Sequence, residues 1–150
     1  MKSYLALAAS LILVTHSASA GDYAVASCKT WDGNITYARN QNSSNAEMVG
    51  KIRDGDIMEY CMRVSPPQSY SKCLAENEIV VNTARLHTVA NCSAYTITFT
   101  YNDARRQYTT RADFKSKPED LSCAGGMQPL VKQFKYLCLD AYNAKNMATW

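Results

Sequence analysis

Histidine is nearly absent from this chain: of 150 residues only His16 and His87 carry an imidazole, and His16 lies in an N-terminal segment that reads as a removable leader. With His87 alone left, an acid–base pair of two histidines is excluded unless a partner supplies the second. Long apolar runs are missing too. The longest, Leu5 to Val14, reaches about half of a roughly 30 Å hydrocarbon core and is too short for a spanning helix. No serine occupies a G-x-S-x-G elbow, so nucleophilic hydrolysis built on that turn lacks its central residue. No two cysteines stand in zinc-knuckle spacing, and Asp54, Asp56 and Glu59 around Gly55 do not follow the order of an EF-hand loop. Neither a metal nor a cofactor is expected. Charge of one sign is scarce as well. The net charge of +3 falls to +2 once Lys2 leaves, too small by itself to imply a nucleic-acid or anionic-membrane partner.

The leader itself is well marked. Lys2 precedes the apolar run, and Ala18-Ser19-Ala20 offers a signal peptidase the small residues it needs before Gly21. Residues 1–20 therefore read as a cleaved signal peptide and residues 21–150 as one domain, secreted or periplasmic. All six cysteines, Cys28, Cys61, Cys73, Cys92, Cys123 and Cys138, follow that site, and an even count in an exported chain is the signature of disulfides. The closures of shortest span join Cys61 to Cys73 across Pro66-Pro67 and Cys123 to Cys138 across Gly125-Gly126, leaving Cys28 for Cys92. Spacing alone does not choose among the connectivities.

At 47% apolar residues the chain is globular in composition. From Gly21 to Ser43 it reads as a short strand followed by a polar loop, Asn40-Gln41-Asn42-Ser43. Ser44-Asn45-Ala46-Glu47 has the spacing of a capping box, predicting a helix that carries Met48, Val49 and Ile52. Asp54-Gly55-Asp56 interrupts it, so a second short helix with Ile57, Met58, Cys61 and Met62 follows, or the chain turns back as a hairpin at Asp54-Gly55. Pro66-Pro67 ends any helix.

Beyond Cys73 the pattern turns to β. Ile79-Val80-Val81 and Leu86 to Val89 are short strand-like runs, and Tyr95, Ile97, Phe99 and Tyr101 alternate with Thr96, Thr98 and Thr100. Asn102-Asp103 turns the chain into a returning strand, on which Tyr108 is placed to pair with an aromatic residue of the first. After Pro118, residues Leu130, Val131, Phe134, Leu137, Cys138, Ala141 and Tyr142 lie within about 140° on a helical wheel, with Gln133 outside that arc. The expected fold is α+β: a small central antiparallel sheet with helical segments before and after it, stapled by disulfides.

Two functional readings compete. In the first, the chain is an exported binding or interaction module, an inhibitor or a surface-associated factor, rather than an enzyme. Its contact surface is the basic stretch of Arg105, Arg106, Tyr108 and Arg111, followed by Lys115 and Lys117. Cations interleaved with rings suit an anionic ligand or a protein, with nucleic acid disfavoured by the near-neutral total. In the second, it is a metal-independent, ribonuclease-like hydrolase with His87 as acid, Glu76 or Glu78 as base and Arg85 as phosphate clamp. A structural component of the cell envelope is the third alternative.

Overall fold

The computed structural model of the chain describes residues 24–25, 33–121 and 127–150. The expected leader, Cys28 and Cys123 lie outside the described residues. Six strands form one antiparallel sheet in chain order. They are β1 (Ala24–Val25), β2 (Gly33–Arg39), β3 (Ala46–Lys51), β4 (Arg85–Asn91), β5 (Thr96–Asn102) and β6 (Gln107–Asp113). Between β3 and β4 the chain makes helices α1 (Asp54–Val64) and α2 (Tyr70–Thr83), and after β6 it makes α3 (Met127–Leu137) and α4 (Leu139–Ala144). Helical segments thus precede and follow the β4–β5–β6 meander, and the α+β class holds. Among the described residues no helix is long and apolar enough to cross a membrane.

Strand alternation sets which side is buried. Met48 of β3, Leu86, Thr88 and Ala90 of β4, and Ile97, Phe99 and Tyr101 of β5 point inward. They join Ile57 and Cys61 of α1, Cys73 and Val80 of α2, and Leu130, Phe134 and Leu137 of α3 in one core. Packing at the β2 end is close. A Cβ on Gly33 would stand 2.6 Å from Leu86 Cδ1 and 3.3 Å from the Lys51 carbonyl oxygen, so any larger residue there requires the Leu86 side chain to move.

Several local expectations are overturned. Residues Ala46–Lys51 form a strand, not the helix implied by the Ser44-x-x-Glu47 spacing. Ala46, Met48 and Gly50 are buried at a period of two, which a helix cannot present to one face. Serine chemistry here serves a turn instead: Ser43 Oγ donates to the Asn40 carbonyl at 2.6 Å, and the Asn45 amide donates back to Ser43 Oγ at 3.2 Å. Gly33–Arg39, read largely as loop, is strand β2. Asp54-Gly55-Asp56 neither breaks a helix nor turns a hairpin; it opens α1, where acidic side chains favour the positive helix end. Asp56 accepts the Arg53 amide at 2.7 Å and the Asn34 side-chain amide at 2.7 and 2.9 Å, tying the start of α1 to β2.

Ile79-Val80-Val81 belongs to α2 and not to a strand. Cys73 and Val80, seven residues apart and two helical turns along, are its buried positions, while Ile79 is exposed. The last predicted helix is two. It breaks at Cys138, and Gln133 turns inward to accept the Thr88 hydroxyl at 2.7 Å. The break follows from what its end meets: Asn42 donates its amide to the Leu137 carbonyl at 2.8 Å, Gln41 donates to that of Tyr136 at 3.0 Å, and Asn42 Oδ1 accepts the Asp140 amide at 3.1 Å.

The disulfides are confirmed in kind and corrected in pairing. Cys61–Cys73 forms as expected and clips α1 to α2. Cys92 bonds Cys138, not Cys28, so the Cys123–Cys138 closure is overturned as well. The reason is tertiary. The end of β4 and the α3–α4 break are brought together by the β2–β3 turn, whose Ser43 carbonyl accepts the Cys92 amide at 3.0 Å.

Candidate functional site

The side of the sheet opposite the core is open. Alternation places Tyr37 and Arg39 of β2, Glu47 and Val49 of β3, and Arg85, His87 and Val89 of β4 on it. Thr96, Thr98 and Thr100 of β5 with Thr109 and Arg111 of β6 complete it. The register organises these into rows. One runs Arg39, Glu47, Val89, Thr98, Arg111, and the next runs Tyr37, Val49, His87, Thr100, Thr109. The threonines form the water-facing ladder that their spacing implies, with Thr100 and Thr109 hydroxyls 3.3 Å apart.

Glu47 is the hub of this face. Its carboxylate pairs with Arg39 Nε directly across on β2, and its other oxygen lies 2.7 Å from His87 Nε2, diagonally across on β4. The Glu47 side chain is 14% exposed, against 46% for His87 and 63% for Arg39, so a sheltered anion is flanked by two accessible partners. The hydrogen bond from Arg39, reinforced by that from His87, holds the Glu47 carboxyl below its usual range, and the same bond raises Arg39. Because an ionised carboxylate only accepts, His87 Nε2 is the donor in this contact.

Chemically the cluster is a carboxylate, an imidazole and a guanidinium on one surface, the set expected around His87 but with different members. Glu76 and Glu78 stand on α2: Glu76 is 3.8 Å from Lys72, and Glu78 lines a groove between α1 and α2 with Met58 and Leu74. Neither reaches His87. Arg85 shares the open face, yet its guanidinium donates to the Ala84 carbonyl at 2.8 Å and the Asn82 carbonyl at 3.4 Å, at the end of α2. Direct Glu47–His87 contact also changes what the pair can do. Acid and base that flank a phosphodiester must stand apart, whereas these two form one unit in which the carboxylate orients the ring.

The basic stretch divides three ways. Arg105 and Arg106 lie in the β5–β6 turn, where Arg105 reaches Asn77 Oδ1 at 3.3 Å and Arg106 covers the Tyr101 ring at 5.1 Å. Tyr108 is on the helix side of the sheet, stacked on Tyr101 at 5.2 Å between centroids, the cross-strand aromatic pair that was expected. Arg111 alone is on the open face, opposite Thr98. Phe114, interleaved with these cations in sequence, is fully buried against Phe134 and Trp150.

Arg39 and Glu47 were missed by sequence reasoning. The available signal was the inward alternation of Ala46, Met48 and Gly50, which turns Glu47 outward. Among the described residues no three histidine, cysteine, aspartate or glutamate side chains are grouped to hold a metal ion. Compared with known proteins, the chain matches no family model, no curated protein and no solved structure.

Proposed function

We propose that the mature chain is a small exported binding module, secreted or periplasmic, that takes an anionic partner on the open face of its sheet. One observation carries this reading: among the described residues, the strands place Arg39, Lys51, Arg85 and Arg111 on that face with two carboxylates, Glu47 and Asp113. That surplus equals the whole net charge of the mature chain. Four strand spacings of about 4.8 Å put Arg39 and Arg111 about 19 Å apart along one row, a span suited to an extended ligand lying across the strands. The leader and the disulfides support export.

The test compares two variants for retention on immobilised heparin and on polyphosphate. Arg39→Ala with Arg111→Ala should abolish retention, while Arg105→Ala with Arg106→Ala should weaken it little. The reverse ranking moves the contact to the hairpin tip. Equal retention of both removes the arginines from the reading.

The hydrolase reading is kept by one specific contact, Glu47 to His87 beside Arg39. In it Glu47 is not the base expected of Glu76 or Glu78 but the carboxylate that orients His87 as the acid–base group. Incubating the oxidised protein with single-stranded RNA and chelator, beside His87→Ala and Glu47→Gln, decides it: cleavage independent of both residues discards it.

A further inference from the structure

The sheet ends on β6, and the bonding pattern across β5–β6 shows which backbone groups of that strand are unclaimed. The Asp103 amide donates to the Arg106 carbonyl at 2.9 Å, and the Phe114 amide donates to the Tyr95 carbonyl at 2.7 Å. Both ends of the hairpin are thus hydrogen-bonded pairs, and the register between them is unbroken. Alternation then commits Tyr108, Thr110 and Ala112 to β5 and turns the N–H and C=O groups of Gln107, Thr109, Arg111 and Asp113 toward the open edge. No strand lies beyond them among the described residues. Over its seven residues the edge strand also lacks a proline, a lysine and a bulge, three of the devices that keep such edges apart.

We propose that this edge is completed by β6 of a second copy of the chain, antiparallel about a two-fold axis at Thr110. The proposal is independent of what the open face binds. Self-complementarity supports it: in this register Gln107 faces Asp113 of the second copy and Thr109 faces Arg111, so all four outward residues of each strand meet outward residues. No like charges stand opposite. Sliding one pair toward the C-terminus sets Arg111 against its own copy, a repulsive cross-strand pair. Sliding the other way carries Asp113 past the strand, into the β5–β6 turn. On the helix side the half-exposed Tyr108 ring comes to lie opposite Ala112 of the second copy, gaining apolar cover. One pair of short strands is a small interface, so the dimer is weak and concentration-dependent.

Sedimentation velocity of the oxidised mature protein tests this from micromolar to millimolar concentration. The expected result is a mass rising toward twice the monomer. Thr109→Pro removes an outward amide and no β5 bond, and should hold the protein monomeric. Thr110→Cys should cross-link into a disulfide dimer, because the non-hydrogen-bonded pair on the axis brings Cβ atoms to about 4.5–5.5 Å; Glu59→Cys should not. A protein monomeric at millimolar concentration overturns the proposal, even if the edge then accepts an extended peptide from another protein. So does a dimer that forms no Thr110→Cys cross-link, a readout that stands if Thr109→Pro fails to fold.

Discussion

His87 Nε2 on β4 lies 2.7 Å from Glu47 Oε1 on β3, forty positions away in sequence, and the carboxylate that receives it also receives Arg39 from β2. Three neighbouring strands therefore each contribute one charged or titratable side chain to a single cluster, and the cluster exists only when their registers are set.

The first prediction concerns acid stability. The Glu47 carboxyl titrates below its ordinary value of 4.5 because Arg39, then His87, favour its ionised form. A carboxyl depressed in the folded state stabilises above the unfolded value and loses that contribution as pH falls through the folded one. Urea unfolding followed from neutral pH downward should show stability falling below about pH 4.5, with a shallower fall in Glu47→Gln. In Arg39→Ala, the Glu47 side-chain carbon should titrate at higher pH by NMR; an unchanged midpoint would show that Arg39 contributes nothing.

The two disulfides among the described residues should differ in worth. Restriction of the unfolded chain predicts about 3 kcal/mol for the short Cys61–Cys73 loop and about 4 kcal/mol for the longer Cys92–Cys138 loop. Their sequence separations are 12 and 46. Chemical denaturation of the paired Cys→Ala variants should rank them in that order. A larger loss from the Cys61/Cys73 pair would mean that the α1–α2 clip acts mainly on the native state.

Thr88 and Gln133 are the buried polar pair of the core. Replacing Thr88 by valine leaves the Gln133 carbonyl without its donor, at a cost of about 1–3 kcal/mol. Adding Gln133→Leu should recover much of that loss, since both polar groups are then gone, and Gln133 Nε2 already lacks a partner among the described residues. Strictly additive losses in the double-mutant cycle would refute the coupling.

Gly33→Ala should destabilise by about 1–3 kcal/mol through overpacking. Its new methyl meets the Leu86 side chain and the Lys51 backbone, and only the former can yield. Leu86→Val in the same chain should relieve part of the cost, as read from the urea midpoint.

Legibility followed how directly a local pattern reported burial. In β5 the strict exchange of Ile97, Phe99 and Tyr101 with threonines named the element, its faces and its hairpin partner, because one side meets core and the other water. Ile79-Val80-Val81 misled because β-branched residues favour strands only weakly. Here the Cys61 bridge at Cys73 and the burial of Val80 two turns later set the helix instead. Ser44 and Glu47 misled for a related reason: a capping spacing has meaning only where a helix follows, and the outward turn of Glu47 depended on strands contributed from residues 33–39 and 85–91.

What the amino-acid order settled alone is the chemistry that can be present: one histidine beyond the first twenty residues, no serine elbow, six cysteines, and a sheet whose alternation divides inside from outside. Those follow from residue identity and near-neighbour periodicity. Tertiary structure alone decided that Cys92 meets Cys138, that Glu47 rather than Glu76 or Glu78 holds His87, and that Arg111, but not Arg105, Arg106 or Tyr108, lies on the open face of the sheet. Each of these is a contact or an orientation set by register and packing between segments distant in the chain. Local propensity carries no information about which distant segments will lie side by side.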